Sequence, residues 1–450
     1  MRRGGAVGAV LALVLGLTVA ATSAATAEPT AQPPGAGSRG PKAHEPRADH
    51  VVLIGFDGFD PDYLGRAPTP NIDALAAQGA SGVTEGVMLP ITNPSFTALT
   101  TGAWPERNGN LAYWWDQDAN VYRGQTRVNA VTSIAEAVRA GGGTVGSAQY
   151  FILQGNGTDY GDPEGLYTQP GGGCARRFDD AVAMVRGEPV RSGGTSVTVP
   201  RIPTLLAVYC GDLDEIGHDE GAESPNIPAA LTELDGQVGR LVAELEAAGI
   251  ADRTTIVLTG DHGMSTLTRS FGLPLNAALV DAGFHPQFLV VAGQKVPETA
   301  DVVVVPAGRS ASLYLAGDLK GDAEALARLR AVVEGVEGTS RILTEREQRR
   351  EHMDPRYGDL VVEAAPGWGA GLLPPAGPEG AHGSADEVDA YYAMAGAGIA
   401  NRRGPTNIRH IDVAPTIAEL LGIPPLPEAQ GRPLRSLLEQ PGRPVEPGRS

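Results

Sequence analysis

Apolar runs of strand length alternate with helix-like segments over most of this chain. The strand-like runs lie at 51–56, 145–151, 204–209 and 254–259. Between them, apolar residues recur at helical spacing, most clearly in 133–140 and 227–248. Strands that alternate with helices in this way form a mostly parallel sheet that is covered by helices on both faces. The pattern therefore predicts an α/β fold.

The segment 265–380 has a different pattern. Its strand-like runs and one helix-like segment lie at 302–306, 312–316, 323–336 and 360–364. Residues 366–380 are rich in Gly and Pro, which is typical of a connecting segment. We expect this part of the chain to form a smaller α+β cap that is inserted into the α/β core.

The two ends of the chain lack such patterns. Two arginines, an apolar run at 6–20 and small residues at 25–27 are typical of a secretory signal peptide. The residues that follow are rich in Pro, Ala and Gly without an apolar period, which predicts disorder. The predicted parts are a signal peptide (1–27), a disordered leader (28–48), a core in two pieces (49–264 and 381–436), the cap (265–380) and a tail (437–450).

The charge of the chain restricts the partners that we expect. It has 35 Lys and Arg against 53 Asp and Glu, which gives a net charge of −18. Nucleic-acid groove binding requires clustered basic residues, so we do not expect it here. A small anionic phosphate ester remains a compatible substrate, because bound metal ions would reverse the local field. Beyond the signal peptide, the sequence has no apolar stretch of the ~20 residues that a membrane span needs. We therefore expect a secreted, extracellular protein without a membrane anchor.

The chain has two cysteines, Cys174 and Cys210. An even pair in an exported protein is compatible with a disulfide. Two buried free thiols are equally compatible, because the sequence does not show whether the two α-carbons come within bridging distance. Both states stay open at this point.

Three aspartates follow predicted strands. Asp57, Asp214 and Asp261 come shortly after the runs that begin at residues 51, 204 and 254. In open parallel sheets, ligands bind beyond the carboxyl ends of the strands. His262 directly follows Asp261, and the flanking glycines would let both side chains converge. Because zinc takes carboxylate and imidazole ligands, this pattern predicts a metal site.

Two further histidines add to the set. His218 lies four residues after Asp214, so one helical turn or a tight loop would direct both side chains to one ion. Gly217 disfavours a regular helix, which favours the loop. His382 lies in a short loop between Ala381 and Gly383. Three aspartates and three histidines would be enough ligands for two metal ions.

Thr92 lies in the turn-rich segment 90–95, which comes between Asp57 and Asp214 in the sequence. A free hydroxyl is not ionised at neutral pH, so a nucleophilic Thr92 would need a metal ion at its oxygen. Two ions about 4 Å apart can stabilise the attacking and the leaving oxygen of an in-line displacement at phosphorus. A structural role, in which the hydroxyl caps the following helix, is also compatible with the sequence.

In the order of these motifs the chain resembles the alkaline phosphatase superfamily, and within it the type I phosphodiesterase/nucleotide pyrophosphatase family. The shared features are, in chain order, Asp57-Gly58, the Thr92 turn, Thr101-Gly102 with Pro105, Asp214-x-x-Gly217-His218, Asp261-His262-Gly263-Met264, His382-Gly383 and a closing helix at 412–421 before Gly422. The resemblance covers residues 51–434 and implies an alkaline phosphatase-like core.

The resemblance also implies the roles of these residues. It assigns ligands to two zinc ions: Asp214, His218 and His382 to one, and Asp57, Asp261, His262 and Thr92 to the other. Thr92 would attack phosphorus and form a covalent phospho-threonine ester, which is then hydrolysed. Manganese or iron would fit similar ligands. The implied activity is hydrolysis of phosphodiester or nucleotide pyrophosphate bonds.

The chain departs from the family at the nucleophile turn. The usual Thr-Phe-Pro-Asn sequence is here Thr92-Asn93-Pro94-Ser95. Asn93 and, further along, Asn110 are the candidates for contacts to the substrate. A Thr-Asn turn is similar to that of the phosphonoacetate hydrolases, which share the metal ligands. Hydrolysis of a phosphonate is therefore the alternative activity.

An aromatic segment follows at Tyr113, Trp114 and Trp115. These rings would either stack on a nucleobase, as aromatic residues do on single-stranded bases, or form a packed wall under the cap. We predict a substrate contact for Tyr113.

Two other functions, sulfate ester hydrolysis and zinc binding without turnover, are less compatible with the sequence. Sulfatases of this superfamily have a modified Cys or Ser where this chain has Thr92. A secreted zinc-binding protein without turnover is the alternative from another class, and the intact Thr92 argues against it.

Overall fold

The computed structural model describes residues 45–439. The predicted signal peptide, residues 28–44 of the leader and residues 440–450 of the tail lie outside this range. The strands, in chain order, are β1 (His50–Phe56), β2 (Ala80–Glu85), β3 (Trp114–Asp116), β4 (Val121–Arg123), β5 (Val145–Ala148), β6 (Gly165–Thr168), β7 (Val190–Ser192), β8 (Thr195–Val197), β9 (Leu205–Cys210), β10 (Thr254–Thr259), β11 (Ser265–Leu267), β12 (Arg269–Ser270), β13 (Pro286–Phe288), β14 (Val302–Ala307), β15 (Ser310–Leu315), β16 (Thr339–Thr344), β17 (Leu360–Ala364), β18 (Trp368–Gly369), β19 (Glu379–Ala381), β20 (Asp389–Gly396) and β21 (Thr406–Arg409).

The helices, in chain order, are α1 (Pro70–Gln78), α2 (Thr92–Thr101), α3 (Pro105–Asn108), α4 (Ile134–Ala140), α5 (Cys174–Arg186), α6 (Asp212–Glu220), α7 (Ile227–Ala247), α8 (Gly272–Asp281), α9 (Ala323–Glu334), α10 (Glu345–Arg350) and α11 (Val413–Leu420). Among residues 45–439, no helix combines the length and the apolar character that crossing a membrane requires.

The main sheet has eight strands in the order β21-β2-β20-β10-β1-β9-β5-β6. Neighbouring strands run parallel except at β20, which is antiparallel to both β10 and β2. Ile54 of β1 lies opposite Val208 of β9 and Leu258 of β10, so β1 is a central strand. The prediction of a mostly parallel α/β sheet is confirmed.

Side chains alternate between the two faces of this sheet. On one face, Val52, Ile54 and Phe56 belong to the core that α5 and α7 cover. On the other face, Val51 and Leu53 belong to the core that α2, α4 and α11 cover. Full burial of such a side chain contributes about 1.5–3 kcal/mol. Burial on both faces explains why the strands read as continuous apolar runs instead of alternating with polar residues.

A second sheet lies within the predicted cap, in the order β13-β14-β15-β17-β16. It is antiparallel except for the parallel pair β13 and β14. Val302 and Val304 pack with α8 and α9 on one face. Val303 and Val305 pack with Trp115 of the core on the other face. The cap is therefore a two-layer α+β unit that rests on the core, and the α+β prediction is confirmed.

Two short elements lie inside segments where the sequence predicted something else. The run at 145–151 is a strand only to Ala148, because Gln149 has a left-handed φ of 57°. The predicted linker 366–380 contributes β18 and most of β19, which pair with β12 and β11. These two pairings bring the first and the last strands of the cap segment together.

Cys174 and Cys210 form a disulfide, with their α-carbons 5.1 Å apart. Cys174 is the first residue of α5, and Cys210 is the last residue of β9. The bond therefore ties α5 to the strand that leads into α6. The structure thus decides between the two states that the sequence left open.

The folded part extends slightly beyond the predicted boundaries. The N–H groups of Arg47 and Ala48, in the predicted leader, donate to the Leu420 carbonyl at 2.8 and 3.1 Å. At the other end, Leu437 and Leu438 of the predicted tail are buried in the core. Contacts with the core therefore occur a few residues outside the predicted core at each end, and the domain boundaries stay a prediction.

Candidate active site

Three strand ends meet at one edge of the main sheet. β1 lies between β9 and β10. Asp57 directly follows β1, Asp214 lies in the first turn of α6 after β9, and Asp261 lies two residues after β10. The N–H of Gly58 donates to Asp261 Oδ1 at 3.0 Å, which joins two of these ends. The topology thus brings together three aspartates that are far apart in the sequence.

Asp57, Asp261 and His262 form a fully buried group, called here the inner cluster. His262 Nε2 lies 3.3 Å from Asp57 Oδ1 and 3.2 Å from Asp261 Oδ2. His262 Nδ1 lies 2.9 Å from the Gly263 carbonyl oxygen. Because a carbonyl only accepts hydrogen bonds, Nδ1 carries a proton. In the neutral ring, Nε2 therefore presents its lone pair towards the two carboxylates.

Asp214, His218 and His382 form a second group beside the cavity, called here the outer cluster. Asp214 Oδ1 lies 3.4 Å from His218 Nε2 and 3.7 Å from His382 Nε2. His218 Nδ1 donates to the Gly380 carbonyl at 2.9 Å, and His382 Nδ1 donates to the Pro90 carbonyl at 2.7 Å. These bonds direct both Nε2 atoms towards Asp214, as backbone carbonyls orient metal-binding histidines in other proteins.

Thr92 lies where the two clusters adjoin. The rings of His262 and His382 stack with their centroids 3.6 Å apart. Thr92 is the first residue of α2, and its Oγ1 lies 3.3 Å from His262 Nε2. Within the described chain, the hydroxyl contacts His262 instead of capping α2. The structural role that the sequence allowed for Thr92 is therefore not observed.

The distances within both clusters fit metal ions. Ligand atoms at about 2 Å from a tetrahedral ion lie about 3.3 Å from one another. The distances between ligand atoms given above fall between 3.2 and 3.7 Å. In the part of the chain that the structure describes, Asp57 Oδ1, Asp214 Oδ1 and Asp261 Oδ2 are buried without a hydrogen-bond partner. Buried carboxylates are costly unless a cation compensates them, so the residues present fit one metal ion in each cluster.

The electrostatics of the protein alone point in the same direction. Burial and the nearby Asp57 raise the pKa of Asp214 to about 7, and they raise the pKa of Asp261 well above its ordinary value. Burial alone would lower the pKa of His262, but Asp261 and Asp57 outweigh it and raise that pKa to about 10. Burial, together with His262, lowers the pKa of His382. The inner cluster thus attracts positive charge, and His382 stays neutral as a metal ligand must.

Asp214 and His218 lie on the helix α6 and not on the loop that Gly217 suggested. The glycine allows close packing instead. A Cβ at Gly217 would lie 2.9 Å from the Met264 side chain, and a Cβ at Gly380 would lie 2.4 Å from the Gly217 carbonyl oxygen. This close approach of α6 to β19 lets His218 reach the Gly380 carbonyl. The expectation of a loop is corrected, because packing outweighs the low helix propensity of glycine.

Tyr209 contacts the inner cluster, although the sequence does not predict this. Its hydroxyl donates to Asp57 Oδ2 at 2.6 Å, which leaves Asp57 Oδ1 for the inner cluster. Burial and the Asp57 carboxylate raise the pKa of Tyr209 well above 10, so the hydroxyl remains a donor. The sequence carries no signal for this role, since a tyrosine in an apolar strand is typical of a core residue.

A cavity of about 260 Å³ opens onto Thr92 and the outer cluster. Its other lining residues are Ile91, Tyr113, Tyr122, Gln125, Val290, Pro306, Ala307 and Gly308. Gln125, which the sequence analysis also missed, accepts from the Asn93 N–H at 3.2 Å and donates to the Tyr113 hydroxyl at 3.1 Å. Among these described lining residues there is no Lys or Arg.

The two predicted asparagine contacts have different positions. Asn93 adjoins Thr92, but its side-chain amide donates to the Thr126 carbonyl. Asn110 is fully buried, and its amide donates to Thr97 Oγ1 at 2.7 Å. Asn110 therefore lies beneath α2, and its contact with the substrate stays a prediction. A role for Asn93 in binding stays a prediction.

The aromatic segment divides between the cavity and the packed wall. Tyr113 lines the cavity, and its contact with the substrate stays a prediction. The Arg356 guanidinium lies over the Trp114 ring, with its central carbon 5.0 Å from the ring centroid. Trp115 is buried and packs edge to face on Tyr314 of the cap, with centroids 5.6 Å apart. The two tryptophans therefore form the wall under the cap.

The fold and the site together define an alkaline phosphatase-like protein: a threonine beside two Asp/His clusters, at the carboxyl edge of a mostly parallel sheet with an inserted cap. Residues 51–385 match the family described as type I phosphodiesterase/nucleotide pyrophosphatase. The chain belongs to this family, and the resemblance inferred from the motifs is confirmed.

Curated relatives align over part of their length. Human ectonucleotide pyrophosphatase/phosphodiesterase family member 7 is 26% identical over 266 residues, which cover 53% of this chain and 52% of the relative. The bis(5'-adenosyl)-triphosphatase enpp4 of Xenopus laevis is 25% identical over 248 residues, which cover 50% and 49%. The chain thus spans about half the length of these relatives.

Solved structures are similar over their whole length. Human ectonucleotide pyrophosphatase/phosphodiesterase 5 superposes with a TM-score of 0.67 at 19% identity, over 87% of this chain and 100% of that chain. An inactive threonine-to-alanine variant of the murine protein, in complex with AMP, superposes with a TM-score of 0.68 at 19% identity and the same coverage. At this identity the likeness shows the fold.

Proposed function

We propose that this protein is a metal-dependent hydrolase of phosphodiester or nucleotide pyrophosphate bonds, with Thr92 as the nucleophile at a two-zinc site. One observation carries the proposal. Thr92 Oγ1 lies 3.3 Å from His262 Nε2, between two clusters in which one buried oxygen of each aspartate has no hydrogen-bond partner in the described chain. Membership of a family of phosphodiesterases and nucleotide pyrophosphatases supports the reaction class.

The residues of the chain would have the following roles in the reaction. One zinc ion would be held by Asp214, His218 and His382, and the other by Asp57, Asp261 and His262 with Thr92. When bound, the ions supply positive charge that favours the ionised hydroxyl and stabilises charge on the phosphoryl oxygens. The Thr92 hydroxyl loses its proton to solvent, and its oxygen bonds to phosphorus. The bond to the leaving oxygen breaks, and the leaving group departs with the electron pair.

The resulting phospho-threonine ester is then hydrolysed. A water oxygen bonds to phosphorus, the bond from phosphorus to Thr92 Oγ1 breaks, and Thr92 regains a proton. Thr92 begins α2, where the positive end of the helix dipole favours the negative phosphoryl group in both steps. The carbonyls of Gly380 and Pro90 hold the imidazoles of the outer cluster in place throughout.

The cavity supports a substrate with a planar group beside the phosphate. Tyr113 and Tyr122 line it and offer aromatic faces for a nucleobase or an aryl group. Relatives of this chain are named nucleotide pyrophosphatases and a bis(5'-adenosyl)-triphosphatase, which is consistent with a nucleotide substrate. The phosphonate alternative depends on Asn93, whose amide bonds to Thr126. We therefore keep phosphonate hydrolysis as an outcome of the test.

Turnover of bis(p-nitrophenyl) phosphate tests the proposal. The protein would be assayed beside p-nitrophenyl phosphate and phosphonoacetate, before chelation, after chelation and after zinc return. We expect preference for the diester, loss on chelation and recovery with zinc. Cleavage of phosphonoacetate with little diester turnover would move the protein to the phosphonate activity. Two bound zinc ions without turnover of any of the three would favour a non-catalytic zinc-binding protein.

We also propose that the protein is exported. The Cys174–Cys210 bond supports this, because disulfides persist in oxidising compartments. Expression of the full chain followed by mass measurement of the protein in the medium tests it. A mature protein that starts after residue 27 is expected, and retention of the full-length chain inside the cell would contradict export.

A further inference from the structure

Arg309 is fully buried although its guanidinium is permanently charged. It lies in the two-residue turn between β14 and β15 of the cap. Its guanidinium donates to the Ala364 and Trp368 carbonyls within the cap at 3.1 and 3.3 Å. It also donates to Asp386 Oδ2 at 2.8 Å and to Glu387, both of which belong to the core. One side chain thus joins the cap to the core segment that follows His382.

The same turn holds the backbone of His382. The N–H of Arg309 donates to the His382 carbonyl at 2.9 Å, and the Ser310 hydroxyl donates to the Gly383 carbonyl. Gly308, with a φ of 61°, makes this approach possible, because a Cβ there would lie 2.0 Å from the His382 carbonyl oxygen. The position of one ligand of the outer cluster therefore depends on this turn of the cap.

Glu387, the partner of Arg309, is connected to His262. The N–H of Gly263 donates to the Glu387 carbonyl at 2.9 Å, and His262 Nδ1 donates to the Gly263 carbonyl at 2.9 Å. The Glu387 carboxylate, which is buried, also accepts from the Ser384 N–H and hydroxyl at 3.1 and 2.8 Å. Glu387, whose carboxylate pairs with Arg309, therefore holds Gly263, and the Gly263 carbonyl fixes the proton on His262 Nδ1.

We infer that Arg309 is a positioning residue for both metal clusters, through which the cap keeps His382 and His262 aligned. The inference depends on the metal site proposed above. Without the guanidinium, Glu387 would be a buried carboxylate without its cation, and the segments that carry both histidines would shift to solvate it. Partners that orient metal ligands typically change metal affinity by about 10- to 100-fold when they are removed.

Zinc affinity, measured by competition with a chelator, tests this inference on three variants. Arg309→Met keeps the length of the side chain without its charge, and Arg309→Lys keeps the charge without the planar fork. Arg341→Met is the matched control, because Arg341 contacts Glu351 and the buried Glu363 within the cap and no residue of either cluster. Thermal unfolding of the metal-free proteins is measured in parallel.

We expect about a 10- to 100-fold loss of zinc affinity in Arg309→Met, a smaller loss in Arg309→Lys and wild-type affinity in Arg341→Met. Wild-type affinity in both Arg309 variants would overturn the inference. The inference would also be overturned if Arg341→Met lost as much zinc affinity as Arg309→Met at the same thermal destabilisation. The loss of affinity would then follow from lower stability in general and not from the contacts of Arg309. If Arg309→Met does not fold, Arg309→Lys decides, and wild-type affinity there overturns the inference. A wild-type protein that binds no zinc would instead contradict the proposed function.

Discussion

Replacing Tyr209 with phenylalanine isolates one hydrogen bond to the inner cluster. The ring packs edge to face on Phe96 and Phe151, with centroids 5.6 and 4.9 Å away, and phenylalanine would keep both contacts. The variant loses the 2.6 Å bond from the hydroxyl to Asp57 Oδ2. Asp57 is 1% exposed, so water has little access to replace that donor. The Asp57 carboxylate would then be free to rotate away from the geometry that a metal ion needs.

The size of the effect follows from the charge on the acceptor. A hydrogen bond to a charged group contributes about 1.5–3 kcal/mol, and each 1.4 kcal/mol changes an equilibrium constant about tenfold. Zinc affinity of the inner cluster should therefore fall by about 10- to 100-fold, which is also the range for partners of metal ligands in general. The outer cluster, to which Asp57 does not belong, should keep its affinity.

Titration of both zinc equivalents against a chelator measures this directly. Tyr314→Phe is the matched control, because Tyr314 is a fully buried tyrosine of the cap whose hydroxyl donates to the Arg356 carbonyl at 2.9 Å. We expect Tyr209→Phe to weaken one equivalent and Tyr314→Phe to weaken neither. Unchanged affinity for both equivalents in Tyr209→Phe would refute the reasoning, as would an equal loss for both.

Three further predictions concern stability. Replacing Cys174 and Cys210 with serine should cost about 4 kcal/mol in the chain-entropy account, because the bond spans 36 residues; denaturant unfolding measures it, and an unchanged midpoint would contradict it. Burial raises the pKa of Glu363 from 4.5 to about 7, so the folded state binds the proton more tightly and stability falls as the pH rises through that window. The melting temperature of Glu363→Gln should therefore be higher than that of the wild type at about pH 8 and equal to it near pH 4.5. The same difference in melting temperature at both pH values would contradict this prediction. Gly308→Ala should lower the melting temperature and the zinc affinity together, since the added Cβ would meet the His382 carbonyl at 2.0 Å; a neutral effect on both would show that the turn can move.

The parts of the site that the sequence predicts are those that follow from sheet topology. Asp57, Asp214 and Asp261 each follow an apolar strand, and adjacent parallel strands bring their carboxyl ends to one edge. The pattern of apolar runs therefore places the aspartates together without any knowledge of the contacts between them. The same pattern change that separates the cap from the core explains why the α+β unit is predictable.

The parts that the sequence does not predict depend on contacts between distant residues. Arg309 is separated from Glu387 by 78 positions and Tyr209 from Asp57 by 152, and nothing local marks either partner. Gly217 misleads for the same reason, because its role is to admit Met264 and β19 and not to break a helix. Asn110 is polar near the nucleophile in sequence, yet the fold turns its amide to Thr97 beneath α2.

The central claim is that Thr92 is the nucleophile, and Thr92→Ala tests it most directly when zinc content and diester turnover are measured on the same sample. Three protein ligands remain in the inner cluster without Thr92, so the variant should still bind two zinc equivalents. Loss of a nucleophile removes most of the rate enhancement, so turnover of bis(p-nitrophenyl) phosphate should fall by at least about a thousandfold. A variant that holds both zinc ions and turns over the diester within about tenfold of the wild-type rate would contradict the account.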